Sequence, residues 1–292
     1  MRLAFIQDLD IFSIGGGAQL TDRTHFTEGL KRGHDIELVT PSSGGVVPKV
    51  DGIIVSNASA FPASNLMGMS ELGIPIIWFI HDYFPICKYR LFYPMGNSCK
   101  SCYLKERWLP VLKMARLIIW LSPLHRESWL WLYPELEDIP YHLAPSPVSA
   151  DLFYDLHLER KEGVISVEGL HPFKGRDYIL RWIEDHPEVK VTLVGGNPDP
   201  LGGLPPNCRS IGVVPNVDMN EVYNQHEALL HLPQSPSPFD RTVAEAYLAG
   251  CKIIGNKNIG ALSYDWFISC ESVAEHCKNS PKEFWEVIEN AL

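Results

Sequence analysis

Short apolar runs rich in β-branched residues alternate with longer polar-apolar stretches along almost the whole chain, and that alternation admits few folds. Runs of this kind are buried parallel strands, and the stretches between them are the crossover helices that parallel strands require. A first series predicts strands over residues 3–7, 36–40, 52–56, 74–80 and 117–121. The stretch Ala144-Pro-Ser-Pro-Val148 then interrupts any regular element, because each proline lacks a donor, fixes φ and pushes the preceding residue out of the helical region. Beyond it the alternation restarts, predicting strands over 163–168, 189–195, 209–213, 228–232 and 252–255. The expected fold class is α/β, with one Rossmann-like domain over residues 1–147 and a second over 148–292. A length of 292 residues fits that division, since single cores seldom grow so large.

Composition excludes several classes. Hydrophobic residues make up 46% of the chain and charged residues 21%, so there is enough apolar surface to offset chain entropy. A formal net charge of −10 argues against a nucleic-acid tracking surface, which depends on clustered Lys and Arg. Local capture of a small anion is still open to such a chain. The longest apolar runs, over 74–80 and 117–121, are well short of the roughly 18 to 20 residues needed to span a bilayer. Asp8 and Asp10 follow the first apolar run where a secretory signal would carry its h-region, so that run is expected to be a genuine strand. Seven scattered cysteines do not form the framework of a small secreted domain, and reduced thiols in the cytoplasm are the expectation. Ser280, Pro281 and Glu283 predict the start of a last helix, with Phe284, Val287, Ile288 and Ala291 on its apolar face.

Three segments carry the chemistry. Gly15, Gly16 and Gly17 follow the first strand and precede a helical segment over 18–31, where close backbone approach and helix N-terminal amides can meet an anion. A plain turn is the competing reading, since the spacing is not G-x-G-x-x-G. Lys174 leaves the first strand of the second series through a tight loop, the position at which open α/β sheets bind ligands. As a point charge there it can offset negative charge growing on a departing phosphate, whereas an isolated lysine would be a solvated surface group. The third segment, residues 232–254, reads strand, proline-rich loop, helix, glycine stop, strand. Its helix is expected to begin near Asp240 to Thr242, so that Arg241 and the first amides converge on one anion while Glu245, a turn inside, accepts hydrogen bonds from a ribose diol.

This third segment resembles the donor-site signature of the retaining glycosyltransferases of family GT4, which have the GT-B fold. Other segments agree in the same order along the chain: Gly16-Gly17-Ala18-Gln19 resembles the N-terminal glycine loop of that family, His81-Asp82-Tyr83 its His-Asp motif, Phe173-Lys174-Gly175 its donor lysine loop, and Val194-Gly195-Gly196 a mid-domain strand end. The likeness is strongest over residues 164–261. It implies two Rossmann-like domains facing across a cleft. It further implies transfer of a sugar from a nucleoside diphosphate donor to an acceptor hydroxyl with retention of configuration, without metal or other cofactor. By the same resemblance Lys174 binds the diphosphate, Glu245 holds the ribose, His81 lies near the reacting sugar, and Gly16 and Gly17 approach the donor phosphates. His81, Lys174 and Arg241 are thus the candidate catalytic groups, and Gly16, Gly17, Lys174, Arg241, Thr242 and Glu245 the donor-binding set. The acceptor would be a saccharide, a lipid-linked chain or a protein, met in the cytoplasm or at a membrane surface. Two positions depart from the family pattern: Gly169 stands where an arginine usually accompanies the lysine, and Ser237 where a glutamate is usual. Arg241 would then supply the second positive charge, or the chain would be a noncatalytic sugar-nucleotide-binding or scaffold protein.

Other chemistries compete. Asp8-Leu9-Asp10 spells the D-x-D of metal-dependent sugar transferases, but a three-residue match in a solvated loop is weak. Cys87, Cys99 and Cys102 would hold zinc if His81 or His125 completed the tetrahedron, although three thiols are one short of a four-cysteine site. Gly15 to Gly17 with Glu37 suggest a nicotinamide site, for which the spacing fits poorly.

Overall fold

The computed structural model describes residues 1–13, 16–43, 49–85, 87, 103–160, 162–167, 170, 174–196 and 203–292. They divide into two compact units, one formed by Met1–Pro147 with Asn279–Leu292 and the other by Val148–Lys278. The last residues therefore group with the first unit rather than with the expected domain over 148–292.

The first unit contains β1 (Arg2–Ile6), α1 (Gly17–Lys31), β2 (Asp35–Val39), β3 (Gly52–Val55), α2 (Ala63–Glu71), β4 (Ile76–Ile80), α3 (Tyr103–Lys113), β5 (Ala115–Trp120), α4 (Pro123–Leu132) and β6 (Tyr141–Leu143). Its six strands pair in the order β2-β1-β3-β4-β5-β6, all parallel. Every residue of β3 and of β4 is buried, as expected of central strands covered on both faces. β6 was not expected from the sequence, because three residues leave no periodicity to read.

The second unit contains β7 (Val164–Val167), α5 (Arg176–Asp185), β8 (Val191–Val194), β9 (Cys208–Ser210), α6 (Met219–Asn224), β10 (Ala228–His231), α7 (Arg241–Leu248) and β11 (Lys252–Gly255). The order β11-β10-β7-β8-β9, again parallel, runs outward from β7 in one direction through β8 and β9 and in the other through β10 and β11. The topological switch point therefore lies between β7 and β10, and ligands of open α/β sheets gather beyond the carboxyl ends of such strands. A separate cluster of Val164 on β7, Val191 and Leu193 on β8, Ala228 and Leu230 on β10, and Ile179 and Ile183 of α5 forms the core on one face of this sheet.

The last helix, α8 (Cys270–Ala291), corrects the expected N-cap at Ser280. The helix starts well before that residue, and Pro281 lies inside it, where its missing N–H leaves the Cys277 carbonyl without a helical donor. Ser280 is fully buried, and its hydroxyl donates to the Pro145 carbonyl at 2.5 Å instead of capping. The end of α8 packs on α1: Trp285 Nε1 donates to the His25 carbonyl at 2.7 Å, and Phe284 stacks on the His25 ring at 4.1 Å. Gly29 makes this approach possible, since a Cβ there would lie 2.1 Å from the Trp285 ring. Arg32 and His34 tie the same segment to Glu289 at 2.9 and 2.8 Å.

Candidate functional site

In the first unit, the candidate residues sit at the carboxyl end of the sheet. Gly16 is the N-cap of α1 and Gly17 its first residue, and the first turn carries no acidic side chain to compete with an anion. His81 follows β4 directly. Its Nε2 lies 2.7 Å from Asp22 Oδ1, with the two side chains 2% and 0% exposed. Asp22 Oδ2 also accepts from Gln7 Nε2 at 2.5 Å and from Ser56 Oγ at 2.6 Å, so residues following β1, β3 and β4 converge on one carboxylate of α1. Asp22, Gln7 and Ser56 were not singled out in the sequence. A signal for Asp22 exists, because it lies on the buried stripe of α1 with His25, Phe26 and Gly29, where a carboxylate requires partners.

His125 is fully buried beside this cluster. Burial pushes its pKa down to about 3, with the His81 charge adding to the fall and the Asp82 carbonyl opposing it. It is neutral at ordinary pH, and Trp129 Nε1 donates to its Nε2 at 3.1 Å. Cys99 and Cys102 lie outside the described residues. Among the described residues no group of three or more His, Cys, Asp or Glu side chains could hold a metal ion. Both D-x-D carboxylates have protein partners: Asp8 accepts from the backbone N–H groups of the distant Ser59 and Ala60 at 3.1 and 2.9 Å, and Asp10, in a local turn, from Phe12 N–H and Ser13 Oγ at 2.9 and 2.6 Å. Glu37 lies within β2, exposed and 3.9 Å from Arg2, rather than at the ligand end of that strand.

In the second unit, Lys174 follows β7 and the segment from Ser237 to Glu245 follows β10, one on each side of the switch point. Gly175 brings the two together. Its φ of +91° suits only glycine, and a Cβ there would stand 1.8 Å from the Leu232 carbonyl oxygen, so this loop lies directly against the end of β10. Phe173 and Gly169 lie outside the described residues.

Asp240 precedes α7 in a left-handed conformation, φ 70° and ψ 78°, and its side chain does not cap the helix. Only 3% exposed, its Oδ1 lies 3.2 Å from Nε2 of the buried His231, and the Ser237 hydroxyl donates to its Oδ2. Burial alone would raise the Asp240 pKa, but the charge and hydrogen bond of His231, the charge of Lys174 and the Ser237 hydroxyl together hold it below the ordinary carboxylate value. Ser237 is fixed from below as well, its backbone N–H donating to the Asn258 carbonyl at 2.8 Å.

Glu245 is buried in α7. Its carboxylate accepts from Tyr223 OH at 3.4 Å and Asn216 Nδ2 at 3.5 Å and pairs with Arg241 Nη2 at 3.5 Å. Arg241, 14% exposed, is thus held by the side chain one turn further along rather than by Asp240. The Thr242 hydroxyl is buried with no hydrogen-bond partner among the described residues. Lys174, Arg241, Thr242 and Glu245 are therefore gathered around one helix N-terminus. Asn216 and Tyr223, which hold Glu245, and His231, which meets Asp240, carried no signal of that role in the sequence.

No known protein-family profile and no curated protein sequence matches the chain. Solved structures do. Over 99% of its length the chain is similar to Anabaena Alr3699/HepE in complex with UDP, with a TM-score of 0.67, 14% identity and 100% of that chain covered. It is similar to a sucrose-phosphate synthase from Thermosynechococcus elongatus with a TM-score of 0.67, 13% identity, and 99% and 94% of the two chains covered. An alpha-glucosyltransferase in complex with UDP is similar with a TM-score of 0.58, 14% identity, and 98% and 94% covered. At these identities the likeness is one of fold, and with its two parallel α/β sheets this chain has the GT-B fold of glycosyltransferases.

Proposed function

We propose that this chain is a retaining glycosyltransferase of the GT4 kind, moving a sugar from a nucleoside diphosphate donor to an acceptor hydroxyl without a metal. The observation that carries the proposal is the grouping of Lys174, Arg241, Thr242 and Glu245 at the switch point between β7 and β10, around the N-terminus of α7. Two cations and a helix N-terminus suit a diphosphate, and the orphaned Thr242 hydroxyl is a buried group that a ligand would satisfy. The structures in complex with UDP and UDP-glucose among the similar folds support a nucleotide-sugar donor.

In this reading the bond from the anomeric carbon to the diphosphate breaks and a bond to the acceptor oxygen forms on the same face. The acceptor proton passes to the departing phosphate. Lys174 and Arg241 stabilise the charge that grows on the leaving group, a contribution largest in the transition state. Glu245 receives the ribose hydroxyls, and His81, Gly16 and Gly17 of the first unit keep the roles that the resemblance implies. No helix among the described residues is long and apolar enough to cross a membrane; the proposed place of work is the cytoplasm or a membrane surface.

A second reading, a noncatalytic sugar-nucleotide binder, draws on Ser237 and on the mutual pairing of Arg241 and Glu245. Release of nucleoside diphosphate from a panel of nucleotide sugars, with and without saccharide and lipid-linked acceptors, separates the two. Turnover of a donor is expected. Tight binding of a nucleotide sugar without any diphosphate release establishes the binder instead.

A further inference from the structure

We propose that Asp240 is a positioning residue: its buried carboxylate, braced by His231 and Ser237, holds the Lys174 ammonium where it meets the leaving diphosphate. The inference rests on the transferase reading and concerns a residue that reading does not use.

Three features of Asp240 oppose its presence unless the carboxylate has a task. A residue other than glycine is disfavoured at φ 70° and ψ 78°. An aspartate at an N-cap ordinarily accepts from the amides of the first turn, and this one does not. A carboxylate with its side chain 3% exposed also loses its hydration. They accompany a side chain that meets His231 Nε2 on β10 at 3.2 Å and accepts from the Ser237 hydroxyl on its other oxygen. Gly175, pressed on the Leu232 carbonyl, fixes the Lys174 loop beside the same strand end, and the Lys174 charge acts on Asp240. A flexible lysine on a four-carbon stem gains a defined position from a rigid buried counter-charge. Ser237, where the resemblance expects a glutamate, thus serves a carboxylate three residues further on.

The test uses the full chain with Asp240→Asn, Asp240→Gly, Lys174→Ala and the Asp240→Asn/Lys174→Ala double variant. The probes are UDP, GDP, ADP and dTDP for binding and their glucose and mannose donors for turnover. With the preferred donor, Asp240→Asn is expected to lower kcat at least about tenfold with KM within about threefold, the pattern of an interaction made in the transition state. The loss caused by Lys174→Ala should shrink to within about threefold in the Asp240→Asn background, because both changes remove one coupled unit. Asp240→Gly, which suits the positive φ, should match or exceed the wild-type melting temperature and still lose turnover. Wild-type-like kcat in Asp240→Asn overturns the proposal, as does a Lys174→Ala loss of equal factor in both backgrounds. Wild-type protein that binds none of the diphosphates and turns over no donor overturns the transferase reading itself, and this inference with it.

Discussion

His81 Nε2 lies 2.7 Å from Asp22 Oδ1, and neither side chain is more than 2% exposed. Asp22 is the only acceptor shared by Gln7, Ser56 and His81 among the hydrogen bonds of the described residues, so one helix carboxylate fixes the groups that follow three strands. Asp22→Ala leaves those buried donors unpaired and should cost about 3 kcal/mol of stability. Urea denaturation measures it, and a loss below about 1 kcal/mol would mean that water or a rearranged side chain replaces the carboxylate.

His125 gives stability a defined pH dependence. Burial lowers its folded pKa from 6.5 to about 3, so below pH 6.5 the unfolded chain takes up a proton that the folded chain refuses. The neutral ring's contribution is fully present above pH 6.5 and is lost as pH falls toward 3, at about 1.4 kcal/mol per pH unit for one proton. Stability measured in urea at pH 7, 6, 5 and 4 should therefore fall more steeply for wild type than for His125→Gln. Parallel curves would show that His125 protonates equally in both states.

Glu245→Ala should weaken binding of the nucleoside diphosphate by about 1.5 to 3 kcal/mol, the worth of a charged hydrogen bond. The pairing of this carboxylate with Tyr223, Asn216 and Arg241 means that the fold loses stability too. Glu245→Gln keeps the shape and separates the effects: calorimetry on the folded variant should show reduced affinity with most of the stability retained. Unchanged affinity in both variants removes Glu245 from the nucleotide site.

Arg241 is expected to carry the diphosphate charge that Gly169 cannot share. Arg241→Ala should slow transfer more than it weakens nucleoside binding, because leaving-group charge grows toward the transition state. Gly169→Arg should restore part of that turnover. Normal turnover in Arg241→Ala, or no recovery in the double variant, ends the compensation idea and leaves Arg241 as the ion-pair partner of Glu245.

Apart from β6, the strands were legible in the sequence because a parallel strand buried on both faces must be a continuous apolar run. The segments after those strands were legible for the same local reason: Gly17 opens α1, Lys174 comes after β7 and Arg241 opens α7, each in the connection that directly follows its own strand. The sheet order was not local. It depends on which strand edges pair across the chain, and it alone sets Lys174 and Arg241 on either side of one switch point. The start of α8 was misread because Ser280 and Pro281 satisfy the local rules for a cap, while burial against Pro145 gives the serine hydroxyl a different acceptor. Asp22 with His81, Asp240 with His231, and Glu245 with Tyr223 were decided only by tertiary structure, since a buried charge takes its partner from whatever distant element the packing brings within hydrogen-bond reach.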